Sequence, residues 1–189
     1  MDKHIERNRL YNLGIAIGIF LVLAGPISGE EVFRGKLMTA GGPIQQKMVT
    51  VKIHIESFST ADEVRALRKV LVDEDSNAFL NAFRKSNHGF INFIGVEGLN
   101  IRINAAQVFP TDEGRKIMIF SERQSWGGTQ RASVIRQHFF MGIELELDTE
   151  GKGTGTFYPG CSFKLNPQGI IELDGFLPSE QILGIRKIK

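Results

Sequence analysis

The amino-acid sequence predicts an α+β protein that is mainly antiparallel β, with about eight or nine strands arranged as a barrel or a sandwich. Alternating apolar and polar residues mark the strands, short turn sequences join them, and one stretch changes to helical periodicity. The chain has 189 residues, of which 42% are hydrophobic and 23% are charged. This composition is typical of a globular protein and excludes a disordered chain.

The predicted strands follow from a period of two in hydrophobicity. Residues 48–56 carry valine or isoleucine at every second position, and residues 139–148 show the same alternation over a longer stretch. Such alternation is expected for a strand with one buried face. Residues 116–120 have apolar side chains on both faces, which predicts a central strand covered on both sides. Further strands are predicted around 32–38, 99–105, 171–174 and 182–188.

A hairpin of two helices is predicted after the second strand, at about residues 60–87. Thr60 and Glu63 have the spacing of a capping box, in which each side chain bonds to the backbone of the other residue. Apolar residues then follow at helical spacing in two stripes, which are separated by an acidic interruption. We expect the hairpin to cover an open end of the sheet.

The N-terminal segment, residues 1–29, has the features of a signal peptide. Charged residues precede the apolar run 10–23, and Pro26 follows close behind it. A helix that spans a bilayer needs about 20 apolar residues, and this run is shorter and contains Asn and Gly. We expect cleavage after Gly29, with an uncleaved N-terminal anchor as the alternative. Residues 30–189 are then a single mainly β domain.

Neither the net charge nor the cysteine and histidine residues of the chain indicate a particular partner. The formal net charge of +2 does not favour nucleic acid, and contact with a membrane is expected only through an uncleaved N-terminal segment. The single Cys161 has no internal partner for a disulfide, and we expect it to be buried on a strand. Since His54, His88 and His138 lack metal-binding spacing, we predict neither a metal nor a cofactor.

No catalytic residue is assigned from the sequence. No serine lies in the Gly-x-Ser-x-Gly pattern that places a nucleophile on a sharp turn. The protein is therefore expected to act without catalysis. The alternative is a hydrolase of the cell envelope that combines one of the three histidines with carboxylates through the fold.

The segment 122–133 is the strongest candidate for a binding site. It contains Trp126, the only tryptophan of the chain, together with Arg123 and Arg131. An aromatic ring beside two arginines can stack on an anionic ligand and form ion pairs with it. The competing interpretation is a surface loop with scattered charges. A small apolar ligand enclosed by the inward faces of the strands is a second possibility, and a filled core is its competing interpretation.

Five segments of the domain carry a resemblance. They read VKIHIESFSTADE, FLNAFRKS, PTDEGRKIMIF, MGIELELDTEGKGTGT and GIIELDGF. In this order they resemble an uncharacterised family of small exported bacterial proteins, over about three quarters of the chain. The resemblance implies export but carries no assigned activity and no assigned site residues.

These observations predict an exported protein of the periplasm or the extracellular space. We expect it to bind a small apolar or anionic ligand, or a component of the cell envelope, without catalysing a reaction. The alternatives are the envelope hydrolase and a module that binds a protein or polysaccharide. The sequence does not assign an oligomeric state.

Overall fold

The computed structural model describes residues 29–38, 48–73, 76–96, 100–123, 140–165, 171–176 and 179–189. Ten strands and two helices lie within these ranges. In chain order they are β1 (Glu31–Met38), β2 (Met48–Ile55), α1 (Ala61–Asp73), α2 (Ser76–Phe83), β3 (Gly89–Ile94), β4 (Asn100–Arg102), β5 (Ala105–Thr111), β6 (Gly114–Glu122), β7 (Phe140–Asp148), β8 (Lys152–Leu165), β9 (Ile171–Phe176) and β10 (Glu180–Lys187).

The strands form one antiparallel sheet that curls into a half-barrel. Nine of them follow the order β4-β3-β2-β1-β10-β8-β7-β6-β5, and β9 pairs with the C-terminal part of β8. The prediction of a mainly antiparallel β structure with two helices is confirmed. The sheet curls because its inner face is apolar along every strand of this order, so bending buries that face against itself.

The two end strands of the sheet, β4 and β5, are consecutive in the chain and are separated only by Ile103 and Asn104. The Ile103 amide donates to the carbonyl of Gly89 at 2.9 Å, on the side of β3. The Asn104 amide donates to the carbonyl of Phe120 in β6, also at 2.9 Å. The single strand predicted at 99–105 is therefore two strands, because the chain changes its pairing partner between these two residues.

The inner face of the sheet contains the main hydrophobic core. All nine strands of the continuous order contribute to one cluster of contacting buried side chains. Its members are Phe33, Leu37, Val49, Val51, Ile53, Ile55, Ile91, Phe93, Ile101, Ile103, Ala106, Ile117, Ile119, Met141, Ile143, Leu145, Leu147, Phe157, Ile182 and Ile185. The alternation that the sequence shows in residues 48–56 and 139–148 thus places the apolar side chains of β2 and β7 inside the sheet.

The helices pack on the outer face of the sheet, over β6 and β7. Phe83 of α2 contacts Phe140 of β7 edge-to-face, with ring centroids 5.1 Å apart. Along β6, Ile119 belongs to the inner core, whereas Phe120 belongs to the cluster under the helices. The prediction that residues 116–120 are covered on both faces is confirmed. The expectation that the helices cover an open end is not confirmed, because the helices cover the second apolar face of β6 and its neighbours.

A group of charged side chains around one buried carboxylate joins β1, β6 and β10. Glu31 is 4% exposed, and its Oε1 lies 3.0 Å from Arg115 Nη1 and 2.7 Å from Lys187 Nζ. The guanidinium carbon of Arg115 lies 5.9 Å from the centroid of the Phe33 ring. We call Glu31, Arg115 and Lys187 the Glu31 cluster. Arg115 and Lys187 provide the counter-charges that the buried carboxylate of Glu31 requires.

The predicted signal peptide lies outside the described residues, apart from Gly29, and stays a prediction. In the described part of the chain, α1 has 13 residues and α2 has 8. Neither helix has the length and hydrophobicity needed to cross a membrane.

Candidate functional site

A cleft of about 530 Å³ opens between the end of α2, the β3–β4 hairpin and the end of β6. Its volume falls in the range of roughly 300–1,000 Å³ that small-molecule sites occupy. We call it the Arg84–Arg102 cleft. Its lining residues are Arg84, Asn87, Gly89, Phe90, Asn100, Arg102, Asn104 and Glu122.

The short strand β4 places polar side chains in this cleft. Ile101 is buried in the core at 1% exposure, so its neighbours Asn100 and Arg102 lie on the opposite face of the strand and are exposed. Arg102 pairs with Phe90 across β3 and β4. Its guanidinium forms no ion pair and no side-chain hydrogen bond with any residue that the structure describes. This group therefore offers free hydrogen-bond donors and a positive charge.

The other arginine of the cleft is paired. Arg84 Nε lies 2.8 Å from Glu122 Oε2, and Arg84 Nη2 bonds to Glu122 Oε1. Hydrogen bonding to the carboxylate raises the pKa of Arg84 further above its ordinary value. The two arginines and one glutamate among the described lining residues leave one net positive charge, and Arg102 is the cation without a counter-charge among them.

A buried asparagine fixes the base of the cleft. Asn104 is 3% exposed, and its Nδ2 donates to the carbonyl of Ser86 at 3.1 Å. Its Oδ1 accepts a hydrogen bond from the amide of Glu122 at 3.0 Å. One side chain thus connects the end of the helical segment to β6, and both its donor and its acceptor are satisfied. This arrangement holds Arg84 and Glu122 at a fixed separation before any ligand arrives.

Gly89 determines how closely β3 approaches β2 at the wall of the cleft. Its φ angle is +128°, and a Cβ atom there would lie 2.0 Å from the carbonyl oxygen of His54. Any other residue would collide with the backbone of β2, so only glycine fits at this position.

Of the three predicted site residues, only Arg123 lies in the described chain. It follows Glu122 directly but is not among the residues that line the cleft. Its Nη1 is buried without a hydrogen-bond partner among the described residues, and burial lowers the pKa of its guanidinium. Trp126 and Arg131 lie outside the described residues. The site predicted in 122–133 therefore stays a prediction.

Cys161 is buried on β8, as expected, at 0% exposure. Burial raises the pKa of its thiol to about 12, against the opposing effect of the Arg123 charge. Since the thiolate is the nucleophilic form, the thiol is unreactive at neutral pH. Its position, within the cluster that the helices cover, fits a structural role.

The side chains that would enclose an apolar ligand form part of the core. Val51, Ile53, Ile143 and Leu145 are at most 1% exposed and belong to the single inner cluster. This packing favours the interpretation of these residues as a filled core.

His54, on β2, lies beside β3. Its Nε2 is 2.6 Å from Glu30 Oε1, and its ring contacts Phe90 edge-to-face with centroids 4.6 Å apart. His138 lies outside the described residues. Within the described ranges, no group of three or more histidine, cysteine or acidic side chains is arranged to hold a metal ion.

The sequence did not identify the cleft. The alternation in residues 99–105 placed Asn100 and Arg102 on a polar face, but nothing indicated that the end of α2 would lie opposite. Comparisons with protein-family models, curated proteins and solved structures find no match to this chain. The resemblance to a family of small exported proteins stays a prediction. A proposal of function must therefore be argued from the geometry of the cleft.

Proposed function

We propose that this protein is an exported binding protein that holds a small anionic ligand in the Arg84–Arg102 cleft. The observation that carries the proposal is the exposed guanidinium of Arg102, which has no ionic partner among the described residues and lies in a cleft of small-molecule size. Because Glu122 neutralises Arg84, the cleft matches a ligand with one negative charge.

The side chains of the cleft favour a sugar acid as the ligand. A guanidinium binds a carboxylate through two parallel hydrogen bonds. The amides of Asn87 and Asn100 both donate and accept hydrogen bonds, as the hydroxyl groups of a sugar require. The ring of Phe90 offers an apolar surface for the C–H groups of a sugar ring. A carboxylate-bearing monosaccharide uses all three features.

Calorimetric titration of D-glucuronate into the mature protein tests this proposal. We expect saturable binding, and the Arg102→Gln variant should bind at least about tenfold more weakly, because a hydrogen bond to a charged group contributes roughly 1.5–3 kcal/mol. The substitution removes an exposed charge without a described partner, so the thermal stability of the protein should not change.

Arg186→Gln is the matched control, since Arg186 is an exposed arginine of β10 that does not line the cleft. It should leave the affinity unchanged, and neutral glucose should bind more weakly than glucuronate. Equal affinity of glucuronate for the wild-type protein and for folded Arg102→Gln protein would contradict the proposal, as would the absence of binding.

The export part of the proposal has a separate test. Cleavage after Gly29 leaves β1 whole, because β1 begins at Glu31. We expect the intact mass of protein secreted by its host to correspond to a chain that starts at Glu30. Full-length protein in the membrane fraction would instead support the N-terminal anchor.

A further inference from the structure

His88 is buried between the β2–α1 connection and the start of β3, and both of its ring nitrogens face serine hydroxyls. It is 4% exposed. Nδ1 lies 3.1 Å from Ser57 Oγ, and Nε2 lies 3.3 Å from Ser59 Oγ. Ser57 is exposed to solvent, whereas the imidazole behind it is not. An accessible hydroxyl is thus in hydrogen-bond contact with a buried potential base.

The capping box of α1 brings a carboxylate to the other side of the same imidazole. Glu63 Oε2 accepts from the Thr60 amide at 2.7 Å, and the Glu63 amide donates to Thr60 Oγ1 at 3.2 Å. The second carboxylate oxygen, Oε1, lies 3.9 Å from His88 Nε2. Hydrogen bonds from the Thr60 amide and then from its hydroxyl lower the pKa of Glu63, so this carboxylate is ionised at neutral pH.

These contacts favour one tautomer of His88. The negative charge of Glu63 favours the proton on Nε2, the nitrogen on its side of the ring. Ser59 Oγ accepts from the Ala106 amide at 3.0 Å and has a second lone pair for the Nε2 proton. Nδ1 is then unprotonated, and its lone pair faces the hydroxyl of Ser57.

We propose that Ser57 is a nucleophile for acyl transfer from carboxylic esters, with His88 as its general base and Glu63 as the group that stabilises the imidazolium. Ser57 Oγ is in hydrogen-bond contact with one ring nitrogen of His88, and the Glu63 carboxylate lies 3.9 Å from the other nitrogen. A serine, a base and a negative charge are thus aligned, with the serine on the solvent side. This activity is separate from ligand binding in the Arg84–Arg102 cleft, which none of these three side chains lines.

The reaction needs only the ester and water as reactants. Ser57 Oγ forms a bond to the carbonyl carbon of the ester while its proton moves to His88 Nδ1. The ester C–O bond then breaks, and the alcohol leaves with that proton. Water attacks the acyl-serine in the same way, which releases the carboxylic acid and restores the Ser57 hydroxyl.

Labelling of the full chain with an alkyl fluorophosphonate tests the proposal, with modified serines identified by peptide mass spectrometry. Ser57 Oγ displaces fluoride from phosphorus and becomes covalently modified. Ser179 is the internal control, because it is an exposed serine of the same protein with no described histidine contact. We expect Ser57 to react at least about a hundredfold faster than Ser179, since general-base catalysis contributes roughly 10²–10⁴-fold.

Variants at Ser57 and Glu63, with Ser179→Ala as the control, distinguish activation of the Ser57 hydroxyl from its simple exposure. Ser57→Ala should abolish the fast labelling and the hydrolysis of p-nitrophenyl acetate, while Ser179→Ala should change neither. Glu63→Gln retains an oxygen for the capping box but removes the negative charge. It should slow the labelling of Ser57 by at least about tenfold, because loss of the carboxylate from a catalytic triad has a large effect on the rate. Labelling of Ser57 no faster than that of Ser179, or at an unchanged rate in Glu63→Gln protein, would overturn the proposal and assign His88 a structural role.

Discussion

The Glu31 cluster and the Arg84–Arg102 cleft both combine two basic side chains with one glutamate, but they differ in what the charges contact. In the Glu31 cluster, one buried carboxylate lies between Arg115 and Lys187 and forms ion pairs with both. In the cleft, Glu122 forms an ion pair with Arg84, and Arg102 has no charged partner among the described residues. The first arrangement pairs its charges within the protein through Glu31 Oε1, whereas Glu31 Oε2 is buried without a hydrogen-bond partner among the described residues. The second leaves a cation exposed to solvent.

This difference follows from the cost of removing charges from water. A buried ion loses several kcal/mol of hydration, so a carboxylate as buried as Glu31 is stable only with partners from the protein itself. An exposed guanidinium keeps its hydration and needs no internal partner. The Glu31 cluster should therefore determine stability, whereas the cleft should determine affinity.

The largest effect is expected for Glu31→Gln. This substitution leaves Arg115 and Lys187 without their shared counter-charge, and it should lower the free energy of unfolding by about 3 kcal/mol. Urea denaturation followed by circular dichroism measures this change. Glu113→Gln, at an exposed position in the turn between β5 and β6, is the control and should leave stability unchanged. A loss below about 1 kcal/mol for Glu31→Gln would mean that the cluster behaves like a surface ion pair.

A smaller effect is expected for Lys187→Gln. The Lys187 side chain is 36% exposed, and Arg115 still pairs with Glu31 when this lysine is replaced. The unfolding free energy should therefore fall by about 1 kcal/mol, the upper end of the range for exposed pairs. The same denaturation experiment applies. A loss as large as that of Glu31→Gln would show that Lys187, rather than Arg115, is the main partner of the carboxylate.

The smallest effect is expected for Glu122→Gln, on affinity rather than stability. It removes the charge that neutralises Arg84 and raises the net charge of the cleft from +1 to +2. Glucuronate should bind about two- to fivefold more tightly, the factor that corresponds to a surface ion pair of up to about 1 kcal/mol. Calorimetry with the wild-type protein as the reference measures the change. Weaker binding would mean that Glu122 itself accepts hydrogen bonds from the ligand.

The local helices and strands, and the faces that they bury, could be predicted from the sequence. The period of two in residues 48–56 and 139–148 predicted which side chains of β2 and β7 enter the core, because successive side chains of a strand point to opposite sides. The spacing of Thr60 and Glu63 predicted the reciprocal hydrogen bonds that begin α1. Each of these features depends on neighbours within a few residues, so the local sequence contains the information.

Which elements contact one another depends on the packing of the whole chain. The change of partner between Ile103 and Asn104 depends on how far the whole sheet curls, which is set by the packing of its inner face rather than by those two residues. The same packing brings Arg84 to Glu122, 38 residues away, and Ser57 to His88, 31 residues away. The candidate sites were therefore absent from the sequence pattern, since their residues become neighbours only when the core has formed.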